Sequence, residues 1–226
     1  MSAILDQAFS CHHVPGRIMD QLWQAGWRHF GHSFFRYNAT IDEGNVKWIT
    51  PLRIDLQAFR LRKSQRRVLR RNSDLRHEFV PAVLSEEAET MFQAHKTRFR
   101  DHVPDRLGDF LSESPAEVPC CCLECRVFDG DQRVATSYMD VGEVATSGVY
   151  GMFDPTASKR GLGTYTLLLE IEHARLLGCR YYYLGYATQE PSVYDYKKQF
   201  LGLEILDWET GQWDGYAIDR TKGVSD

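Results

Sequence analysis

The stretch SGVYGMFDPTASKRGLGTYTLLLEIEHARLLGCRYYYLGY, residues 147–186, predicts a strand, a helix and a second strand in that order. Thr164 is predicted to cap the helix and Gly178 to end it. The apolar face of this helix consists of Leu167, Leu168, Ile171, Ala174 and Leu177. The run YYYLGY at 181–186 is typical of a buried strand.

Three short β runs lead up to this stretch. They are CCLECRVF at 121–128, QRVATSYMDV at 132–141 and SGVYGMF at 147–153, with turn residues between them. Such spacing predicts a meander of antiparallel strands. The order β-β-β-α-β, with a glycine-containing turn entering the helix, is typical of the acetyltransferase (GNAT) superfamily. We therefore predict an α/β (α+β) fold class, with a GNAT-like mixed sheet in the C-terminal half.

The N-terminal part is predicted to form a smaller, tightly associated α/β unit. A helical pattern ends at Gly26, and strand patterns occupy 27–37 and 48–56. A further helix is expected at 84–100, and a second helix plus linker at 104–119. On this basis we divide the chain into an N-terminal unit, 1–80, and a GNAT-like catalytic domain, 81–226.

Composition narrows the setting in which the protein works. The 226 residues carry a net charge of −4, include no apolar run of membrane-spanning length, and do not begin with the order of a signal peptide. We expect a cytoplasmic protein without a membrane partner. An acidic chain of this kind can bind a polyanion only through a local basic patch.

One such patch is RLRKSQRRVLRRNSDLR at 60–76, with seven arginines, one lysine and one acid. A solvated helix face is the plain interpretation of a charge run. The density of arginine favours phosphate contacts, because guanidinium groups bind phosphates bidentately. The residues expected to make these phosphate contacts are Arg62, Lys63, Arg66, Arg67, Arg70 and Arg71.

The six cysteines do not predict a metal site. Four of them crowd together at 120, 121, 122 and 125, where a second ligand pair at suitable spacing is missing, and Cys11 and Cys179 are distant. Alternation along a strand would point them to opposite faces. We expect buried strand cysteines, no metal and no cofactor.

The turn KRGLGTY at 159–165 enters the predicted helix, where backbone N–H groups and the helix dipole can hold an anion. Acyl-CoA transferases place glycine or alanine where this chain has Tyr165, so that the backbone can approach the pyrophosphate. A ring at that position is expected to crowd coenzyme A. An acyl-CoA N-acyltransferase therefore stays an alternative and not the preferred interpretation.

An ordered series of residues carries a resemblance to a known family. The series is Val149 and Tyr150, Phe153 to Pro155, Leu162 to Tyr165, Tyr183 to Tyr186, then Tyr196, Lys197 and Phe200. It resembles the C-terminal signature of the arginyl-tRNA-protein transferase family, in particular its short bacterial leucyl-tRNA branch. The segments CHHVPGR at 11–17 and PLRIDLQAFRLRKSQRRVLRRNSDL at 51–75 are similar to the family's entry segment and basic block.

The resemblance implies a GNAT-like enzyme that moves an amino acid from a charged tRNA to the N-terminal α-amine of a protein or peptide, typically one that begins with an acidic residue. Whether leucine or arginine is carried stays open. The partners implied are aminoacyl-tRNA, which those six basic residues would bind, and an acceptor with a free N-terminus. DNA is not an implied partner. A non-catalytic tRNA-binding module is the other alternative.

Two departures from the family pattern bear on what is carried over. Residues 38–50 lack the cysteines of many relatives, so Cys11 has no companions for a metal or iron-sulfur centre. Val193, Tyr194 and Gly202 replace a Lys-Met pair and a proline of relatives. The donor and acceptor choices of relatives are therefore not transferred automatically.

We assign roles to individual residues as follows. Tyr165 and Tyr186 are expected to line the reaction centre, and Asp154, Glu170 or Glu190 to take the proton of the amine. Backbone N–H groups near Gly163, or on a splayed strand, would face the oxyanion. The residues expected to bind substrate are Tyr150, Arg160, Gly161, Gly163, Thr164, Glu190, Tyr196 and Lys197.

Overall fold

A computed structural model describes residues 4–42, 44–99, 104–190 and 195–216. Its helices are α1 (Gly16–Gln24), α2 (Lys63–Arg71), α3 (Glu86–Lys96) and α4 (Leu162–Leu176), and 3₁₀ turns span Leu107–Asp109, Pro155–Arg160 and Asp195–Gln199. The strands are β1 (Asp6–Ser10), β2 (Arg28–Phe30), β3 (Ser33–Tyr37), β4 (Ala39–Asp42), β5 (Asn45–Asp55), β6 (Arg76–Pro81), β7 (Cys122–Asp129), β8 (Gln132–Val141), β9 (Ala145–Phe153), β10 (Tyr181–Thr188), β11 (Leu203–Leu206) and β12 (Trp213–Gly215).

A large mixed sheet forms the centre of the molecule, with strand order β12-β11-β5-β10-β9-β8-β7-β6 and β4 paired to β5. The meander β7-β8-β9, helix α4 and strand β10 follow the predicted β-β-β-α-β order. Helix α4 crosses from β9 to the parallel strand β10. The predicted fold class, with a GNAT-like sheet, is confirmed.

The two parallel strands separate soon after they meet. Strands β9 and β10 pair only over residues 145–147 and 181–183, whereas β10 continues alongside β5 as far as Thr188. A wedge therefore opens in the sheet after Ser147 and Tyr183. The candidate site lies in this wedge.

Helices cover both faces of the sheet. Helix α4 packs on one face, where Leu168 and Ile171 contribute to a core with Met139 and Tyr182. On the other face, Trp23 of α1 packs with Tyr183, and α3 inserts Phe92 beside Tyr138. The alternation of Tyr182 and Tyr183 between the two faces is what a strand requires.

The predicted division of the chain at residue 80 stays a prediction, and the sheets do not follow it. Strand β6 runs from Arg76 to Pro81 across that boundary, and β5 lies inside the large sheet between β10 and β11. A separate N-terminal sheet exists, but it consists of β1, β3 and β2 within residues 6–37. Local patterns identify strands, whereas the sheet a strand joins depends on partners far away in the chain.

Two local predictions also need correction. Helix α4 begins at Leu162 with Gly161 as its N-cap at φ 71°, so Thr164 lies in the first turn and does not cap the helix. The segment 104–119 contains, among its described residues, only the short 3₁₀ turn 107–109 instead of a helix. Leu107 and Leu111 are both buried near α3, which produced a helix-like spacing over a single turn.

Within the described residues, no helix combines the length and apolar character needed to cross a lipid bilayer.

Candidate active site

A cleft with a cavity volume of about 100 Å³ lies where β9 and β10 separate. Its lining residues are Ser137, Gly148, Val149, Tyr150, Gly151, Gly163, Thr166, Leu167, Glu170, Tyr182, Leu184, Tyr196 and Lys197. Helix α4 contributes Gly163, Thr166, Leu167 and Glu170, whose spacing of i, i+3, i+4 and i+7 places them on one helix face. The helix thus presents a single polar stripe to the wedge.

Glu170 is the acid inside this cleft. The residue is only 3% exposed, and burial raises the pKa of its carboxyl to about 7. The Tyr182 hydroxyl donates a hydrogen bond to Glu170 Oε2, which lowers that pKa in part, while the negative charge of Asp140 raises it. A carboxyl that titrates near neutral pH can exchange a proton with a substrate amine. Burial also raises the pKa of Tyr182 well above its usual value, so this hydroxyl stays protonated.

Gly148 holds the backbone of β9 against the Tyr182–Glu170 pair. A Cβ at this position would collide with the Tyr182 hydroxyl and would lie 3.3 Å from Glu170 Oε2. Gly151 lines the same cleft, but a Cβ there would meet Ser137 and Thr166 at ordinary contact distances of 3.6 and 3.9 Å. Gly148, and not Gly151, is therefore needed to keep the Tyr182–Glu170 pair in its observed position.

Gly148→Ala is expected to lower the transfer rate by at least about tenfold, because the methyl group displaces the hydroxyl that positions the catalytic carboxylate. Gly151→Ala is the matched control and should leave the rate within about twofold. Initial rates of aminoacyl transfer by both variants, with circular dichroism to confirm folding, make the comparison. Equal rates for the two variants would remove Gly148 from the site.

Two cations lie at the wedge, because Lys197 lines the cleft and Arg28 contacts Ser147 and Gly148 of β9. Arg28, on β2, donates to Ser147 Oγ and to the Gly148 carbonyl, and among the described residues no carboxylate lies within ion-pair distance of its guanidinium. Burial lowers the pKa of Lys197 to about 8, and the nearby charge of Arg28 acts in the same direction. The sequence offered no signal for Arg28 beyond one charge within an aromatic run.

Five predicted residues do lie on the cleft: Tyr150, Gly163, Glu170, Tyr196 and Lys197. Tyr186 does not, because a β-bulge changes the phase of β10. Tyr183 pairs with Arg53 and Gly185 with Leu52, so Leu184 is an extra residue on its strand. Tyr186 therefore follows the side of Tyr183, and its hydroxyl donates to the Gly26 carbonyl at 2.7 Å. Tyr182 lines the cleft instead, and the sequence analysis had not selected it as a site residue.

Tyr165 does not line this cleft either. Its side chain is 4% exposed and packs in the core with Leu75, Val127 and Phe153, on the α4 face that also carries Leu162 and Leu168. The Tyr165 ring does not cover the turn at 159–165. Helix α2 covers that turn instead, because Asn72 Nδ2 donates to the carbonyls of Arg160 and Val68 at 3.0 Å each.

The residues around this turn support structure rather than substrate. Asp154 accepts from the backbone N–H and the hydroxyl of Thr156 and so starts the 3₁₀ turn. Arg160 is held by Asp74 and Asp129. Gly161 is the N-cap of α4, and neither it nor Thr164 lines the cleft.

Glu190 lies at the edge of the described residues. Its Oε2 is buried without a hydrogen-bond partner among them, and it is not part of the cleft lining. The adjoining positions Val193 and Tyr194, where the sequence departs from the family pattern, fall outside the described residues. The predicted role of Glu190 stays a prediction.

The basic segment folds as α2 and turns its charges outward. Lys63, Arg66, Arg67, Arg70 and Arg71 are exposed and Arg62 is half-buried. Arg62 donates to the Gln199 carbonyl at 3.3 Å, in the 3₁₀ turn that carries Lys197. Arg71 donates to the Lys159 carbonyl at 2.7 Å. The basic face therefore adjoins the elements that build the cleft.

The structure also gathers one set of metal-ligand types away from the cleft lining. His29, Cys120 and Asp140 are buried, with one donor atom of each within 4.8 Å of the others. Sequence spacing missed this set because its members come from three separate segments. The six cysteines are all free thiols.

A mixed sheet opened between two parallel strands, with a titratable carboxyl in the opening, defines a GNAT-type acyl-transferring fold. Two solved structures share it: a protein described as a lysylphosphatidylglycerol synthetase from Agrobacterium fabrum, C-terminal domain (TM-score 0.51, 17% identity, 80% of this chain), and L-PGS from Bacillus licheniformis (TM-score 0.52, 14% identity, 82% of this chain). This chain spans 54% of each of those chains. At such identities the likeness shows the fold alone.

The family follows from the sequence comparisons. The family described as "Arginine-tRNA-protein transferase, C terminus" matches residues 82–207. Proteins named aspartate/glutamate leucyltransferase are 33% identical in Thiobacillus denitrificans (89% of this chain, 81% of the relative) and 30% identical in Marinobacter nauticus (92% and 86%). The chain belongs to the arginine-tRNA-protein transferase family and is an aminoacyl-tRNA-dependent transferase. The resemblance seen in the sequence is confirmed.

Proposed function

We propose that this chain transfers leucine from leucyl-tRNA to the α-amine of a protein or peptide that begins with an aspartate or glutamate. The observation that carries the proposal is Glu170, a carboxyl titrating near neutral pH inside the wedge between β9 and β10. The chemistry required of the enzyme is modest, because an aminoacyl-tRNA ester is already activated. A protein α-amine has an unperturbed pKa near 8.

The reaction begins with the neutral α-amine attacking the ester carbonyl. A carbon–nitrogen bond forms, the bond to the ribose oxygen breaks, and the tRNA leaves with its terminal hydroxyl restored. Glu170 accepts the proton that the attacking nitrogen loses and returns it to the leaving ribose oxygen, so that no proton is gained or lost overall. Holding amine and ester together contributes roughly 7 to 11 kcal/mol in favourable cases.

The oxyanion is placed against β9. The ladder between β9 and β10 stops at Ser147, so the next backbone N–H groups of β9 that point toward β10 face the cleft. Backbone N–H groups fixed in this way stabilise the negative charge that develops on the carbonyl oxygen. The Tyr182 hydroxyl keeps its proton and fixes the orientation of Glu170.

The cleft suits a leucyl side chain better than an arginyl one. Its apolar lining comes from Val149, Leu167 and Leu184, and among its lining residues Glu170 is the one carboxylate, already bonded to Tyr182. An arginyl group would be buried beside the cations Arg28 and Lys197 without a carboxylate of its own, and an unpaired buried charge is costly. The names of the relatives agree with leucine.

Donor choice is tested by competition. Equal concentrations of leucyl- and arginyl-tRNA, carrying different isotopes, are offered with one acidic peptide. We expect leucine to exceed arginine in the product by at least about 100-fold, because a buried unpaired charge is disfavoured by several kcal/mol. Arginine in excess would reverse the donor assignment while leaving the class of reaction intact.

The acceptor's acidic first residue is placed at Arg28 and Lys197. Both cations lie at the wedge, and Arg28 has two of its nitrogens engaged by the neutral groups of Ser147 and Gly148. A carboxylate entering the cleft would neutralise this positive charge. Peptides that begin with a neutral residue would lack this attraction.

Lys197 gives the acceptor step a pH dependence. Its pKa of about 8 in the fold means that the ammonium loses its charge as pH rises above that value. The KM for an acidic peptide is therefore expected to rise several-fold between about pH 7.5 and 9, whereas the KM for tRNA should not change in parallel. Lys197→Arg keeps its charge and should abolish the rise. A rise that persists in that variant would dissociate Lys197 from acceptor binding.

The tRNA is placed along α2. Its exposed basic face lies beside the cleft, and its covering of the turn at 159–165 occupies the surface that an acyl-CoA pyrophosphate would need. The same helix thus favours a tRNA-linked donor and disfavours coenzyme A. The exclusion of coenzyme A, which the sequence analysis had assigned to Tyr165, is thus assigned to helix α2.

A further inference from the structure

A buried polar cluster joins the small N-terminal sheet to the large sheet. His29 comes from β2, Asp140 from β8, and Cys120 from the segment that leads into β7. Their exposures are 7%, 2% and 3%. None of the three lines the cleft, and the mechanism of transfer does not use them.

The hydrogen bonds of His29 fix which ring nitrogen is free. Its Nδ1 lies 2.8 Å from the Gly31 carbonyl, which can only accept, so Nδ1 carries the proton. In the neutral ring, Nε2 then presents a lone pair to Asp140 Oδ2 at 2.7 Å. A shared proton accounts for this distance, and a metal ion bound between the two atoms would take the place of that proton. A backbone-bonded Nδ1–H with Nε2 free is also the usual arrangement of a metal-binding histidine.

The chemistry of the set indicates a zinc-type ion. Thiolate and imidazole favour zinc over magnesium or calcium. A divalent ion with one neutral imidazole, one thiolate and one carboxylate is neutral overall, which suits a buried site.

We propose that His29, Cys120 and Asp140 bind a structural zinc-type ion that fastens the β1-β3-β2 sheet to the large sheet. Zinc bonds of about 2.0 Å to nitrogen or oxygen and 2.3 Å to sulfur keep tetrahedral ligands roughly 3.3 to 3.8 Å apart. The His29–Asp140 separation widens by about half an ångström when the ion binds. This site replaces the expectation, drawn from cysteine spacing, that the chain holds no metal.

Cobalt(II) titration of the full chain tests the site, after chelation under reducing conditions to remove bound ions. We expect one equivalent to bind, with a thiolate-to-cobalt charge-transfer band in the near ultraviolet that added zinc abolishes. Cys120→Ser should lose the band. Cys125→Ser is the matched control, since Cys125 is equally buried in β7 but lies outside the cluster, and it should keep the band.

Thermal unfolding supplies a second readout. Zinc should raise the Tm of the wild-type chain and of Cys125→Ser, because an ion that binds only the folded state stabilises it by mass action. His29→Gln should show no such rise. The proposal is overturned if the wild-type chain binds less than about a tenth of an equivalent of cobalt, or if Cys120→Ser keeps the band; the first result needs no variant and so does not depend on one folding.

Discussion

Glu170→Gln is expected to lower kcat for aminoacyl transfer by about 100- to 10,000-fold, the range that a positioned general base supplies. The amide keeps the size of the side chain and a hydrogen-bonding oxygen for Tyr182, but it cannot accept the proton of the amine. Glu172→Gln is the matched control, because Glu172 lies on the same helix, is exposed and pairs with Arg175. Single-turnover transfer from labelled aminoacyl-tRNA gives both rates.

The pH profile separates catalysis from structure. Wild-type activity should rise with pH through about 7, as Glu170 loses its proton, and the glutamine variant should lack this limb. The groups that face Glu170 are Tyr182 from β10, Lys197 from the following 3₁₀ turn, and Asp140 from β8 at longer range. A glutamine variant with at least half of the wild-type rate and the same limb would contradict the role of Glu170.

Stability should not explain the loss. The pKa of Glu170 is raised in the fold above its ordinary value of 4.5, so the folded state holds this proton more tightly than the unfolded chain does. The contribution of this group to the free energy of unfolding is therefore largest below about pH 4.5 and is lost as pH rises to about 7. Glutamine has no charge to bury. At pH 8 the variant should be at least as resistant to urea as the wild type.

Replacing Arg66, Arg67 and Arg70 with alanine should weaken tRNA binding and reduce the slope of log K against log salt by about 2 to 3. Each phosphate contact releases a counterion, and these three exposed side chains belong to the outward face of α2. The KM for aminoacyl-tRNA should rise, while kcat at saturating tRNA should change little. Filter binding at several salt concentrations measures the slope.

A second triple variant controls for net charge. Arg98, Arg106 and Arg175 are exposed arginines outside the basic segment at 60–76. Their replacement by alanine removes the same three charges and should leave the slope unchanged. Equal slopes for the two triple variants would mean that overall charge, and not α2, controls binding of tRNA.

Local patterns predicted the centre of the fold correctly. The alternation in 121–153, the apolar face of α4 and the run at 181–186 are signals confined to neighbouring residues, and each element formed where expected. The position of β5 in the large sheet was missed because it depends on pairing with β10, more than a hundred residues away.

Part of the cleft lining was anticipated from the sequence. Glu170 and Lys197 lie on the cleft, and their roles stay predictions. Tyr186 was chosen in place of Tyr182 because strict alternation treats both as sharing a face. The bulge at Leu184 reverses the face on which Tyr186 lies, and no residue type in the sequence indicates this bulge. The choice of Tyr165 as a site residue could have been avoided. Its spacing of three from Leu162 and from Leu168 already placed it on a core face of α4.

The most direct test offers the chain total tRNA charged with labelled amino acids, together with peptides that differ only at their first residue. Mass spectrometry then identifies any residue added to the peptide. The account predicts a single leucine on the α-amine of peptides that begin with aspartate or glutamate, and no acetyl group when acetyl-CoA replaces the tRNA. Failure to transfer any amino acid from charged tRNA, or acetylation from acetyl-CoA, would contradict it.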